Sequence, residues 1–365
     1  MLSAQGRPAE PQRGWVAGEV AERVTGSRHV GLREAPSISA AMRAAVYERL
    51  GPPDVLHVKE IERPDPAPGE VRVRVVVSGV NPTDWKTRAA APGKEMPYPY
   101  VVPNQDGAGE IDAVGEGVEP ARVGERVWIW FGQWQRQHGT AAEWVCLPAR
   151  QAVRLPDSAS FALGACLGIP ALTAAHALFV DGSVSDMTVL VAGGAGAVGH
   201  YAIELARWRG ARVLATVSSE EKARAARAAG ADVVINYRDE DVVEAIGRTA
   251  PDGIDRVIEV APSNLLLDSK VLKPHGTCVF YASTAEEPGL PVRSFMTLNA
   301  VLRFMLLYGV APGELVRAVN DVSEALAAGV LSELPLHRFS LGEAAAAHQA
   351  VEDGAVGKVV IDPAL

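Results

Sequence analysis

The feature that most constrains the fold is a glycine-rich turn between a strand and a helix, in the stretch VAGGAGAVGH at residues 191–200. The run TVLVAGG is continuously apolar, which is typical of a parallel strand buried on both faces. In the GxGxxG pattern that overlaps its end, glycines allow a tight turn, close approach of the backbone to a pyrophosphate, and close helix–strand packing. The turn therefore predicts a dinucleotide site at the helix N-terminus, formed by Gly194, Gly196, Ala197, Val198 and Gly199.

Strands and helices alternate after this turn. Apolar strand-like segments and amphipathic helical segments follow one another from residue 188 to about residue 282. A further strand is predicted at 302–308 and a helix at 313–328. The alternation indicates right-handed crossovers and a doubly wound sheet of six strands. The tail at 337–363 has the pattern strand, helix, strand, and we expect it to return to the first domain because the sheet already has six strands.

The segment before the turn has a different character. From Met42 to about Pro156, short β-branched segments are separated by Gly and Pro, which predicts a compact, largely antiparallel β domain. Residues 1–41 mix arginines with acidic residues and contain no apolar run, so they do not resemble a secretory signal. We expect a disordered extension there, one explanation being that translation begins at Met42.

Composition excludes several classes of protein. A chain of 365 residues, 48% of them hydrophobic, suits about two domains. A net charge of −9 argues against nucleic-acid binding, and no apolar run approaches the ~20 residues of a membrane helix. The three cysteines are far apart and form no CxxC pair, which fits a reducing cytoplasm better than a disulfide framework.

The end of the second strand indicates which dinucleotide binds. NAD sites usually place an acid there, about 20 residues after the glycines, for the ribose 2′-hydroxyl. Here the strand ends with Ser218 and Ser219, Lys222 follows one turn later, and Tyr237 ends the third strand. Hydroxyls and a cation favour the 2′-phosphate of NADP(H) over NAD. The alternative is that Lys222 is an ordinary solvated helix residue.

The chain resembles a known family over about Met42 to the C-terminus. It has the layout of the medium-chain dehydrogenases/reductases and is most similar to the zinc-free, zeta-crystallin-like quinone oxidoreductases. The matching segments are GVNPTDWKTR, DGAGEIDAVGEGV, VGERVW, GTAAEWV, GIPALTA, VLVAGGAGAVG, GADVVINYRDED and GKVV. The resemblance implies an α/β fold. A β-rich GroES-like catalytic domain would span 42–165 and 330–365, and a doubly wound Rossmann domain 166–329.

The resemblance also implies that no metal is bound. Zinc-dependent relatives place a Cys where Asn81 stands, a His-Glu pair where Gln105 and Asp106 stand, and a second Cys near Ile169. Neither Asn81, Gln105 nor Ile169 supplies the thiolate or imidazole that zinc prefers. The lobe of four cysteines that holds structural zinc in those relatives is also missing.

Roles for individual residues follow from the resemblance. Ser218, Lys222 and Tyr237 would hold the 2′-phosphate, Thr173 would lie beside the nicotinamide, and the nicotinamide-facing strand end would be Tyr281-Ala282-Ser283. The substrate cleft would be lined by the candidate catalytic residues Asn81, Asp84 and Trp85.

The cleft segment leaves alternatives open. Family members often carry a tyrosine in a TYIRSG-like stretch, and the sequence DWKTRAAAPG departs from it, so the shape of the pocket is not predicted. Trp85 could form a stacking wall or be an ordinary core residue. Asp84 could instead cap a helix start. His138, in an aromatic loop, is more typical of a surface residue than of a proton donor.

These observations predict an NADPH-dependent enzyme that reduces a quinone or a similar conjugated carbonyl. Such an acceptor needs no general base, and the Asn81 amide could stabilise the developing charge. Alternatively, Asn81 only holds the GVNP loop in place. One alternative is reduction of the C=C bond of an enone or enoyl compound. Another is a non-catalytic nucleotide-binding protein with a structural or regulatory role. We expect a small-molecule substrate, no nucleic-acid or membrane partner, and a homodimer formed through the apolar edge strand at 302–308.

Overall fold

The computed structural model describes residues 41–90, 93–283 and 288–365. The predicted extension lies outside the described residues except for Ala41, which begins the first strand. No helix in the described ranges is long and apolar enough to cross a membrane.

The described part of the chain is a mixed α/β structure. Its strands are β1 (Ala41–Val46), β2 (His57–Glu62), β3 (Glu70–Val80), β4 (Asp106–Val114), β5 (Arg126–Ile129), β6 (Trp144–Pro148), β7 (Ala152–Arg154), β8 (Thr188–Val191), β9 (Arg212–Val217), β10 (Val233–Asn236), β11 (Ile254–Glu259), β12 (Leu272–Phe280), β13 (Val301–Phe304), β14 (Leu336–Ser340) and β15 (Lys358–Asp362). Its helices are α1 (Pro82–Ala89), α2 (Phe161–Gly164), α3 (Leu172–Phe179), α4 (Ala197–Trp208), α5 (Glu220–Ala228), α6 (Val242–Thr249), α7 (Leu265–Val271), α8 (Val292–Leu298), α9 (Pro312–Ala327) and α10 (Ala344–Glu352).

β1 and β2 form a separate antiparallel pair, and strands β3 to β7 share one seven-stranded sheet with the C-terminal tail. Its order is β14-β15-β3-β4-β5-β7. β6 pairs with the first residues of β3, Glu70 to Arg74. β15 runs antiparallel to β3, with Val359 opposite Val80, and β4 is also antiparallel to β3, with Asp106 opposite Gly79. In this register, the start of β15, the end of β3 and the start of β4 lie next to one another at one end of the strands.

The parallel sheet contains β8, the strand that leads into the glycine turn. Its six strands are all parallel, in the order β10-β9-β8-β11-β12-β13. Alternate residues of β8 contribute to different apolar clusters, Val189 and Val191 to one and Leu190 to the other. Both faces of the sheet are therefore covered, and the predicted doubly wound fold is confirmed.

The last predicted strand is shorter than expected. β13 ends at Phe304, and residues 307–309 form a 3₁₀ turn. The prediction of a strand through residue 308 is therefore wrong at its end, because an apolar run does not distinguish a strand from residues that line a cavity. The helix predicted at 313–328 is confirmed as α9.

Candidate active site

A cavity of about 910 Å³ lies at the carboxyl ends of the parallel strands and beside the start of α1. Its described lining residues include no Asp, Glu, His or Cys. Of the predicted site residues, those that line it are Asn81, Thr173, Gly196, Ala197, Val198, Ser218, Lys222, Tyr237, Tyr281 and Ser283. The remaining four are not among its lining residues: Asp84, Trp85, Gly194 and Gly199.

The glycines of the turn have different functions. A Cβ on Gly199 would overlap the Gly193 carbonyl oxygen, and one on Gly194 would lie 2.8 Å from the Ala215 Cβ. These two residues let α4 and the turn pack closely against the sheet from behind. Gly196 faces the cavity, where a Cβ would meet nothing closer than 3.4 Å. The left-handed backbone lies at Gly193 (φ +68°), a residue that the GxGxxG pattern does not include.

The nucleotide end of the cavity is lined by residues that follow neighbouring parallel strands. Ser218 follows β9, and its Oγ accepts a hydrogen bond from Lys222 Nζ at 3.0 Å. Ser219 caps α5 by accepting from the Lys222 backbone N–H at 3.3 Å. Tyr237 follows β10 and is half exposed (51%). Hydroxyls and an ammonium group thus lie together where the sequence predicts the 2′-phosphate.

The opposite end of the cavity contains a buried polar network. Asn81 Nδ2 donates to Asp106 Oδ2 at 2.8 Å, and Asn81 Oδ1 accepts from Lys358 Nζ at 2.6 Å. Lys358 Nζ also lies 3.0 Å from Asp106 Oδ2. All three side chains are buried. Burial raises the pKa of Asp106, while the Lys358 ammonium and the Asn81 amide favour its ionised form. The network therefore fixes which way the Asn81 amide points.

Sequence reasoning missed the role of Lys358. Its only sequence signal is the GKVV segment, which matched the family without suggesting a role. The strand register explains its position, because β15 and β4 flank the end of β3. A Cβ on Gly79 would lie 3.0 Å from both the Asp106 Cβ and the Lys358 Cε, so this glycine makes room for the pair.

Asp84 lies beneath the cavity and not in its wall. Its Oδ2 accepts a hydrogen bond from the Asn81 backbone N–H at 2.7 Å, which is the helix-capping geometry. Burial, together with the neighbouring Asp106 carboxyl, raises the pKa of Asp84 to about 8. The Asp84 carboxyl is thus mainly protonated at neutral pH. It supports the start of α1 and does not contact a ligand in the cavity.

Trp85 of α1 and His138 of the aromatic loop also lie outside the cavity lining. Trp85 is half-buried, and the Lys86 ammonium lies 5.8 Å from its ring centre. His138 Nε2 lies 3.1 Å from the Tyr100 hydroxyl, and the two rings stack. Burial lowers the pKa of His138. Neither residue is placed to contact a bound acceptor.

The zinc positions of the relatives hold residues with other partners. The Gln105 side chain donates to Gln133 Oε1 and accepts from the Gln133 backbone N–H, each at 3.1 Å. Ile169 lies in the π-helical turn Leu167–Ala171. Across the residues that the structure describes, no group of three His, Cys, Asp or Glu side chains could hold a metal ion.

The fold and the cavity define an α/β nicotinamide oxidoreductase, and comparisons with known proteins give the same class. Residues 67–157 match the family described as alcohol dehydrogenase GroES-like domain, and residues 197–325 match the family described as zinc-binding dehydrogenase. A quinone oxidoreductase from Lama guanicoe is 30% identical over 326 residues, which cover 88% of this chain and 97% of the relative.

Two further similarities extend this result. A 2-haloacrylate reductase from a Burkholderia species is 30% identical over 336 residues, 88% of this chain and 98% of that protein. A mycobacterial protein solved in complex with NADPH superposes with a TM-score of 0.75 at 27% identity, covering 88% of this chain and 100% of its own. The chain belongs to the quinone oxidoreductase family of the medium-chain dehydrogenases/reductases, and it is an oxidoreductase that uses NAD(P).

Proposed function

We propose that this protein transfers hydride from NADPH to a quinone or a similar conjugated carbonyl without a metal ion. The observation that carries the proposal is the cavity itself. It joins the glycine turn to the Asn81 amide, and its described lining contains hydrogen-bond donors but no carboxylate, imidazole or thiol. Alcohol oxidation needs a group that takes up the hydroxyl proton and stabilises alkoxide. Reduction of an electron-poor carbonyl needs only alignment and donors.

NADPH is the proposed cofactor. The Ser218 hydroxyl and the Lys222 ammonium are already hydrogen-bonded to each other at the nucleotide end, and Tyr237 lies beside them in the same wall. Thr173 and Tyr281 line the wall where the nicotinamide is expected, with Ser283 close by. The mycobacterial structure containing NADPH supports the same choice.

The residues of this chain have three tasks in the reaction. NADPH, when bound, supplies the hydride. The apolar residues 304–307 and Val260 limit the access of water to the reacting atoms. Asn81 uses one N–H to bind Asp106 and so retains a second N–H, which we propose donates to the acceptor oxygen. Because Lys358 and Asp106 hold the amide in place, little reorganisation is needed when charge develops on that oxygen.

A panel of acceptors tests the function. NADPH oxidation would be followed with quinones, enones and enoyl thioesters, and NADP⁺ reduction with secondary alcohols. We expect turnover of quinones and no turnover of alcohols. Rapid alcohol oxidation with inert quinones would contradict the proposal. If the protein binds NADPH but turns over none of these compounds, the non-catalytic alternative is favoured.

A second candidate is reduction of a conjugated C=C bond. The 2-haloacrylate reductase at 30% identity favours it, since a haloacrylate contains such a bond. Hydride addition to the carbon β to a carbonyl places the same developing charge on oxygen, so the site requirements are similar. Turnover of enones alone in the same panel would select this candidate.

We also propose a homodimer in the cytoplasm. β13 forms an edge of the parallel sheet, where Val301, Phe304 and Leu306 are exposed by 41%, 67% and 64%. An unpaired apolar edge favours association with a second copy. Cys146, Cys166 and Cys278 are all free, as a reducing compartment requires. In light scattering, the wild type should be a dimer and Val301→Lys a monomer. A monomeric wild type would contradict the proposal.

A further inference from the structure

Tyr308 enters the cavity from the segment after β13. It belongs to the turn Leu307–Gly309 and lines the cavity together with Asn81. The Trp134 ring stacks on its ring at a centroid distance of 4.2 Å, and the Phe131 ring lies at 4.7 Å. The aromatic contacts hold the ring in one orientation, so the position of the hydroxyl is defined by packing.

The Tyr308 hydroxyl is buried and makes no hydrogen bond of normal geometry to the described residues. A buried polar group without a partner costs roughly 1–3 kcal/mol, and an oxygen atom bound in the cavity would supply the partner that this hydroxyl lacks. Burial raises the pKa of Tyr308 far above its ordinary value. The Asp84 carboxyl acts in the same direction, while a hydrogen-bonding contact of poor geometry with the Thr83 side chain opposes it. These neighbours place the hydroxyl over the start of α1, and it remains protonated there.

The start of α1 is also where the second donor lies. Asn81 precedes the first residue of the helix, and its amide is fixed by Asp106 and Lys358. Asn81 and Tyr308, from segments more than 200 residues apart, both line the cavity, and the contact of Tyr308 with Thr83 brings its hydroxyl to the start of α1, where Asn81 lies.

We propose that the Tyr308 hydroxyl and the Asn81 amide together donate hydrogen bonds to the acceptor's carbonyl oxygen. This assignment rests on the proposed function and adds a catalytic residue to it. When hydride forms the new C–H bond, the π electron pair of the acceptor moves onto oxygen. Tyr308 donates to that oxyanion and keeps its own proton, and the proton that this oxygen takes up comes from water. When the acceptor is a quinone, the ring carbon that received the hydride then loses a proton to water and the second oxygen gains one, which gives the hydroquinone.

Tyr308→Phe tests the assignment because it removes the hydroxyl and keeps the ring. We expect kcat/KM for the best acceptor to fall about 100-fold, the order observed when an oxyanion donor is removed. NADPH affinity should not change. Because the native hydroxyl makes no hydrogen bond of normal geometry, Tm should stay about the same or rise, whereas removal of a well hydrogen-bonded structural hydroxyl would lower it.

Tyr98→Phe is the matched control. The Tyr98 hydroxyl donates to the Gln135 carbonyl at 3.1 Å and lies outside the cavity lining. This variant should keep the kcat/KM of the wild type. Full activity of Tyr308→Phe, or an equal loss in both variants, would overturn the assignment.

A binding measurement separates this assignment from the proposed function. 4-Nitrophenolate is a stable oxyanion that mimics the reduced acceptor, and its absorbance reports binding to the protein saturated with NADP⁺. We expect wild type and Tyr98→Phe to bind it equally, and Tyr308→Phe to bind it about 10-fold more weakly. This comparison does not require turnover, so it holds even if the acceptor panel fails. Equal binding by Tyr308→Phe, or no binding by wild type, would overturn the assignment.

Discussion

The two ends of the cavity are constructed in different ways. At the nucleotide end, the residues that contact each other are close in sequence: Lys222 and Ser218 are four residues apart, and the glycine turn spans seven. At the acceptor end, Lys358 and Asn81 are 277 residues apart, and Lys358 and Asp106 are 252 apart. The first end depends on local turns at strand ends, and the second depends on the register of three antiparallel strands.

The difference has an energetic consequence. The nucleotide end is open and carries half-exposed side chains, so changes there should alter affinity more than stability. The acceptor end contains an ammonium and two carboxyl groups that are buried. A change there leaves a charge or a polar group without its partner in a region of low dielectric, so stability and activity should change together.

The largest expected effect is at Lys358. Lys358→Met leaves Asp106 and the Asn81 carbonyl buried without the ammonium, and we expect the free energy of unfolding to fall by about 3–5 kcal/mol in urea titrations. Lys273→Met is the control, because Lys273 and Asp255 form a partly exposed pair at 2.8 Å, for which a loss under about 1 kcal/mol is expected. Equal losses of stability in the two variants would contradict the expected difference between a buried and a partly exposed ion pair.

The Lys358 prediction has an internal check. If the penalty comes from the unpaired carboxylate, Asp106→Asn should recover part of the stability in the Lys358→Met background. If the double variant is no more stable than Lys358→Met alone, lost packing and not charge explains the effect.

The next effect concerns affinity at the nucleotide end. Lys222→Ala should weaken NADPH binding by roughly 10- to 100-fold, since a hydrogen bond to a charged group contributes roughly 1.5–3 kcal/mol. NADH affinity and Tm should not change, and the exposed Lys270→Ala should have no effect on either cofactor. Tryptophan fluorescence titrations would measure both affinities. A parallel loss for NADH would show that Lys222 does not contact the 2′-phosphate.

The glycine turn gives a smaller effect that separates packing from binding. Gly199→Ala places a methyl group against the Gly193 carbonyl, and we expect a loss of about 1–3 kcal/mol of stability. Gly196→Ala has room for the methyl group on the cavity side, so only NADPH affinity should fall. Denaturation curves and titrations of both variants would decide this. Equal destabilisation would mean that Gly196 is also a packing residue.

The smallest effect is the pH dependence contributed by Asp84. Its pKa of about 8 in the folded protein lies above the ordinary value of 3.8, so between those pH values the folded chain holds a proton that the unfolded chain releases. The stability that this bound proton contributes is therefore fully present below about pH 4, and it is lost as the pH rises toward 8. Asp84→Asn has no such proton to lose and can still accept from the Asn81 N–H.

Unfolding measurements at pH 5 and pH 8 test this directly. Relative to wild type, Asp84→Asn should gain at least about 1 kcal/mol of stability between the two pH values. Glu119→Gln, which changes an exposed carboxylate, should follow the wild-type curve. A constant difference between Asp84→Asn and wild type would show that Asp84 is already ionised in the folded protein.

The nucleotide end was predictable because its information is local. A continuous apolar strand, the glycine turn and an amphipathic helix each depend on residues within a short window, and repetition of the unit implies the doubly wound sheet. The presence of Ser218 where NAD sites have an acid predicts NADPH from equally local information, and that choice of cofactor stays a prediction. Only Gly193 was missed there, because the motif starts one residue later than the left-handed backbone.

The sequence by itself determined the fold class, the order of elements, the glycine turn and the family, since periodicity and turn chemistry are properties of neighbouring residues. The tertiary structure decided that Lys358 meets Asn81, that Asp84 supports a helix, that Trp85 lies outside the cavity wall, and that Tyr308 enters the cavity. The physical reason is that these positions depend on strand register and on where β13 ends. Both are set by packing among segments far apart in the chain, which no local pattern contains.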